Sequence, residues 1–70
     1  METIKIQISG DYIRLDAILK LAGVVPTGGQ AKLLIQNGKV LVNDEICTQR
    51  GKKIIVGSRI QAENTIIEAS

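Results

Sequence analysis

The fold is decided by residues 27–38, TGGQAKLLIQNG, which contain the start, the buried face and the end of a helix. Thr27 and Gln30 have the spacing of a capping box, in which the threonine hydroxyl accepts from the Gln30 amide and the glutamine side chain returns a bond to the Thr27 amide. The apolar residues that follow at helical spacing are Ala31, Leu34 and Ile35. An Asn-Gly pair supplies the stop, so we predict a helix over about 28–37.

A shorter helix precedes it in the chain. Its apolar positions are i, i+3, i+4 and i+7, which are occupied by Leu15, Ile18, Leu19 and Ala22. This spacing predicts a helix over roughly 14–22, with Gly23 placed for a left-handed C-cap. Asp16 and Lys20 lie four residues apart away from that face, so we expect an exposed ion pair between them.

In the remaining segments, apolar residues alternate with polar ones or occur in short runs, as is typical of β-strands. Isoleucines at every second position predict a strand over residues 3–8. Residues 40–42 and 45–47 predict a hairpin around Asn43-Asp44, because both turn residues tolerate a positive φ. Residues 54–56 and 59–62 suggest a second strand pair, and 65–68 a last strand at a sheet edge. The order of strand, two helices and several strands predicts an α+β domain.

The composition excludes most chemistry. The chain has 70 residues, a formal net charge of +2, no histidine and one cysteine. It therefore has no imidazole base, no intrachain disulfide and no thiolate cluster for a metal. Tyr12 is the single aromatic residue, which argues against domains that stack single strands on several rings. We expect a single-domain cytoplasmic protein that is not an enzyme, uses no cofactor or metal, and contacts neither a membrane nor a small-molecule substrate.

Three features favour a polyanion as the ligand. Gly28 and Gly29 open the second helix without side chains, so a phosphate could approach its free amides. Lys32 lies one turn later, off the apolar face. Residues 50–53, Arg-Gly-Lys-Lys, which we term the basic loop, contain three cations and no acid. The residues alone also allow turn glycines and solvated lysines, because nothing in the spacing brings these features together.

In order and spacing, these segments resemble the S4 RNA-binding domain, and most of all its short, free-standing YaaA/YbcJ-type members. The resemblance covers about residues 11–61 of one domain that we assign to 1–70. The motifs that carry it are Arg14-Leu15-Asp16, Leu19 to Gly23, Thr27 to Lys32, Val40 to Glu45, the basic loop and Gly57-Ser58.

The resemblance implies an αL-type fold, with two helices packed on a small, bent, mostly antiparallel sheet. It also implies binding to structured RNA (rRNA or tRNA), and a possible ribosome partner, through phosphate and shape contacts. Matched position by position, the RNA-binding residues are Arg14, Gly28, Gly29, Gln30, Lys32, Arg50, Lys52 and Lys53. The wider family often has arginine where Gly28 stands.

Two other functions remain open at this point. The chain could be a protein–protein docking module on a ribosomal or RNA-maturation complex, with Val24-Val25 and Ile66-Ile67 as exposed anchors. It could also bind duplex DNA through the same basic face. The oligomeric state is likewise open, although a last strand at a sheet edge would offer unpaired backbone groups.

Overall fold

A computed structural model describes residues 1–70 and confirms an α+β fold of two helices and two sheets. In chain order the elements are β1 Glu2–Ile6, β2 Ile13–Arg14, α1 Leu15–Leu21, α2 Gly28–Gln36, β3 Val40–Val42, β4 Glu45–Ile46, β5 Lys53–Ile54, β6 Arg59–Ala62 and β7 Thr65–Ala69. Neither helix is long and apolar enough to cross a membrane.

Local signals set the ends of both helices. The Thr27 hydroxyl accepts a hydrogen bond from the Gln30 amide at 3.2 Å, as the capping box predicts. The predicted return bond from the Gln30 side chain to the Thr27 amide is not formed, so only half of the box is present, and Gln30 is exposed. Gly23 and Gly38 follow the two helices with φ of +78° and +72°, which ends each helix in a left-handed turn.

The large sheet has the order β1-β7-β6-β3-β4, and only the β1–β7 pair is parallel. The β3–β4 hairpin is confirmed, with φ of +50° at Asn43 and +70° at Asp44. The prediction that β7 is an edge strand is wrong, because the N-terminal strand pairs along it from residue 2 to residue 6. The edges of the sheet are therefore β1 and β4.

The predicted pairing of residues 54–56 with 59–62 is also wrong. Strand β5 pairs instead with β2, in a separate two-stranded ribbon whose register is Ile13 with Ile54 and Arg14 with Lys53. Strand β6 lies between β3 and β7. Between these strands the chain turns at Gly57, whose φ is +94°, and its amide donates to the Ala69 carbonyl oxygen at 2.9 Å. The turn directs β6 into the large sheet.

One hydrophobic core joins all of these elements. Its fully buried large side chains are Leu15, Ile18, Leu19, Ile35, Val40, Ile54, Ile60 and Ile67. Ile54 extends the core into the ribbon, which fixes the ribbon to the rest of the domain. Val25 and Ile67 are buried in the core and Val24 packs against it, whereas Ile66 is half-buried outside the core. None of these four residues is an exposed side chain.

The burial of the ribbon can be tested at two neighbouring isoleucines. Ile54 is 0% exposed and Ile55 is 57% exposed. We expect Ile54→Val to lower the free energy of unfolding by about 1 kcal/mol, since it removes one buried methylene. For a domain of this size the melting temperature should fall by about 4–8 °C, as measured by circular dichroism. Ile55→Val is the matched control and should change little; equal shifts for the two variants would contradict the packing described.

Candidate nucleic-acid interface

The start of α2 presents backbone amides to solvent. The amides of Gly28 and Gly29 have no hydrogen-bond partner in the chain, because Thr27 caps only Gln30 and Ala31. A Cβ built at Gly28 would meet nothing within 4 Å, and one at Gly29 would meet only the Thr27 hydroxyl at 3.9 Å. Neither glycine has a positive φ. The fold itself therefore does not require glycine at either position, which favours a role in the approach of a ligand.

The start of α1 is closed by the basic loop. The Leu15 amide donates to the Lys52 carbonyl oxygen at 2.9 Å, and the Asp16 amide donates to the Arg50 carbonyl oxygen at 3.1 Å. These carbonyls satisfy two of the amides that a helix leaves free at its N-terminus. The loop is thereby fixed to α1 through its backbone, and its side chains extend from a defined position.

The Asp16 carboxylate pairs with two arginines, one two residues before it in the chain and one 34 residues after it. The carboxylate lies 3.3 Å from Nε of Arg14 and 3.2 Å from Nε of Arg50. The Asp16 side chain is 11% exposed, whereas those of Arg14 and Arg50 are 54% and 43% exposed. We call these three residues the arginine clamp. One nearly buried acid thus positions two guanidinium groups on side chains that are about half exposed.

The predicted exposed pair between Asp16 and Lys20 is wrong. Asp16 is buried under the arginines, and Lys20 is exposed and forms no salt bridge. Helical spacing placed the carboxylate on the polar side of α1, but the basic loop covers that side at its first turn. Asp16 is consequently a site residue that the sequence prediction missed, although the Arg14-Leu15-Asp16 motif contained the signal.

The two lysines of the loop have different surroundings. Lys53 belongs to β5, opposite Arg14 in the ribbon, and its ammonium nitrogen lies 4.9 Å from the centroid of the Tyr12 ring. Lys52 borders an open groove of about 430 Å³ that also includes Asn43, Thr48 and Gln49. The structure therefore brings together four of the predicted site residues, Arg14, Arg50, Lys52 and Lys53. Tyr12 joins them as a second residue that the sequence prediction did not include.

The predicted residues of α2 form a separate group. Gln30 and Lys32 are exposed, and no hydrogen bond or salt bridge joins the start of α2 to the basic loop. Helix α1 connects the two groups, because its N-terminus holds the loop and the helix packs against α2. The use of both groups by one ligand stays a prediction. No group of three or more histidine, cysteine, aspartate or glutamate side chains could hold a metal ion.

Comparison with known proteins identifies the family. The family model described as the S4 domain matches residues 6–69, which is most of the chain. This protein belongs to the S4 domain family. It is also 43% identical over 58 residues to the "Probable ribosome maturation protein RlbA" of Bacillus subtilis (strain 168), across 83% of this chain and 82% of that protein. The resemblance found in the sequence is confirmed, and membership of the S4 family supports RNA binding.

The arginine clamp can be tested through stability. We expect Asp16→Asn to lower the free energy of unfolding by about 1 kcal/mol, because it removes the charge that pairs both arginines and favours the first turn of α1. The melting temperature should fall by about 4–8 °C. Glu2→Gln removes the same charge from an exposed position in β1 and is the control. A fall no larger than that of the control would show that the clamp contributes nothing to folding.

Proposed function

We propose that this protein is a non-catalytic RNA-binding protein that recognises structured rRNA during ribosome maturation. The observation that carries the proposal is the arginine clamp, which presents two fixed, half-exposed guanidinium groups beside Lys52 and Lys53. The proposal of rRNA, and not tRNA, draws on the printed name of the Bacillus relative, which refers to ribosome maturation.

The clamp suits phosphate groups of an RNA backbone. A guanidinium offers donors in a planar fork, and each arginine uses part of its fork on Asp16 and leaves the rest for a ligand. Because the acid has already fixed both side chains, little further conformational entropy is lost when a phosphate binds. Lys52 and Lys53 add mobile positive charge at the margin of the clamp. This combination fits neighbouring phosphates on a folded RNA and contains no catalytic pair.

The start of α2 supplies a second kind of phosphate contact. Its free glycine amides and the positive end of the helix dipole favour an anion, and Lys32 lies one turn along the helix. We propose that Gly28, Gly29, Gln30 and Lys32 contact a different part of the RNA from the clamp. Recognition then depends on the spacing of two sites, which a structured RNA satisfies more readily than a flexible strand.

Removal of single lysines tests this interface. We expect Lys52→Ala and Lys32→Ala each to weaken binding to protein-free rRNA and to reduce the slope of log affinity against log salt by about 1, because each removes one phosphate contact. The measurement is fluorescence anisotropy across a salt series, with thermal unfolding as a check of folding. Lys5→Ala, at an exposed position of β1, is the control.

The same assay separates the competing functions. The competitors of the labelled rRNA are unlabelled rRNA, tRNA and a DNA duplex of equal length. We expect unlabelled rRNA to displace the labelled rRNA more effectively than tRNA or DNA does. If wild-type affinity and salt slope are unchanged in both lysine variants, the assignment of the interface is wrong. If DNA competes as well as rRNA, the protein is a general duplex binder.

The substitution Gly28→Ala should raise the stability of the protein and lower its affinity for RNA. We expect the variant to be more stable, by up to about 1 kcal/mol, because alanine is the better helix former and open space surrounds the new methyl group. RNA affinity should fall, because the methyl group obstructs a phosphate at the free amides. The control is Gln36→Ala at the exposed end of α2, which should leave affinity unchanged. Higher stability with undiminished affinity would exclude the helix start from the interface.

A further inference from the structure

The outer face of the ribbon carries polar and aromatic side chains that lie outside the core. Side chains alternate across a strand, and Ile13 and Ile54 point towards the core. Tyr12, Arg14 and Lys53 are all exposed. Tyr12 is 45% exposed, is not part of the hydrophobic core and makes no hydrogen bond with its hydroxyl. The single aromatic ring of the chain therefore lies on the surface.

Two like charges face each other across the ribbon. Arg14 and Lys53 are directly opposite in the register of β2 and β5, and like charges at such positions destabilise a strand pair. Each is held by a different neighbour: Asp16 pairs with Arg14, and the Tyr12 ring lies beneath the Lys53 ammonium. Two cations are thus kept side by side in a ribbon of only two residue pairs. An anion bound between them would relieve the repulsion.

An exposed ring beside two cations has the features of a contact for an unpaired nucleotide. Bases that are not in a duplex stack on aromatic side chains, while cations hold the phosphates on either side. A base inside a duplex is already stacked and cannot use the ring. This face shares Arg14 with the arginine clamp, but the Tyr12 ring adds a contact with a base, whereas the contacts proposed for the clamp and for the start of α2 are with phosphates.

We propose that Tyr12 stacks on one unpaired nucleotide of the bound RNA, while Arg14 and Lys53 hold the phosphates that flank it. This inference rests on the proposed function and makes it more specific. The RNA contains a bulged or looped-out nucleotide next to the structured part that the clamp binds. Tyr12 is then the residue that distinguishes such an RNA from a continuous helix.

The test uses two hairpin RNAs that differ only in one bulged 2-aminopurine nucleotide in the stem. The full-length wild-type protein should bind the bulged hairpin about tenfold more tightly than the paired one, and stacking should quench the 2-aminopurine fluorescence. Tyr12→Phe should retain both effects, because the ring is kept. Tyr12→Leu should lose both the preference for the bulged hairpin and the quenching, because the ring is removed.

Ile55→Ala is the matched control, since Ile55 is an exposed apolar residue directly after β5. It should keep the preference. The proposal is overturned if wild type shows no preference, if Tyr12→Leu keeps it, or if Ile55→Ala loses it equally, which would indicate a general apolar patch. Binding to neither hairpin by wild type would overturn the proposed function itself and this inference with it.

Discussion

The candidate interface depends on one carboxylate that lies beneath two arginines. Asp16 is in the first turn of α1, and Arg50 is 34 residues further along the chain, yet its Nε is within 3.2 Å of the carboxylate. Without this acid, Arg14 and the three cations of the basic loop would repel one another at the start of α1. The acid and the two backbone bonds from Leu15 and Asp16 to the loop turn that repulsion into a fixed arrangement. The arginines are then ordered before any ligand arrives.

The two helices use their N-termini in opposite ways. At α1 the loop carbonyls occupy the first amides, so the helix start serves the fold. At α2 the amides of Gly28 and Gly29 remain free, so the helix start is open to an anion. The difference follows from the sequence around each start: α1 follows strand β2 and is covered by the basic loop, whereas α2 follows Pro26 and Thr27 and opens with two glycines. Similar helix ends are therefore capped differently in the same small domain: the first amides are satisfied at α1 and free at α2.

The sequence predicted what short-range interactions determine. Caps and glycines defined both helices to within about one residue, and the Asn43-Asp44 turn defined the hairpin. The prediction of strand pairing was wrong where the partners are distant in the chain: β7 pairs with the N-terminal strand, and β5 pairs with β2. The same limit affected the site. The cations of the loop were visible as a run of charge, but Asp16 looked like a surface acid and Tyr12 like an isolated ring until the ribbon placed them together.

The distribution of charge explains how a net charge of only +2 is compatible with a nucleic-acid interface. Seven of the nine basic residues lie outside the strands and turns of the large sheet, whereas five of the seven acids lie within them. The domain measures 27 × 24 × 23 Å. Charges in physiological salt are screened over about 8 Å, so an approaching RNA responds to the nearest face and not to the sum. Positive charge is thus concentrated on the helices and ribbon and negative charge on the large sheet, a separation that would favour the approach of a polyanion to the helices and ribbon.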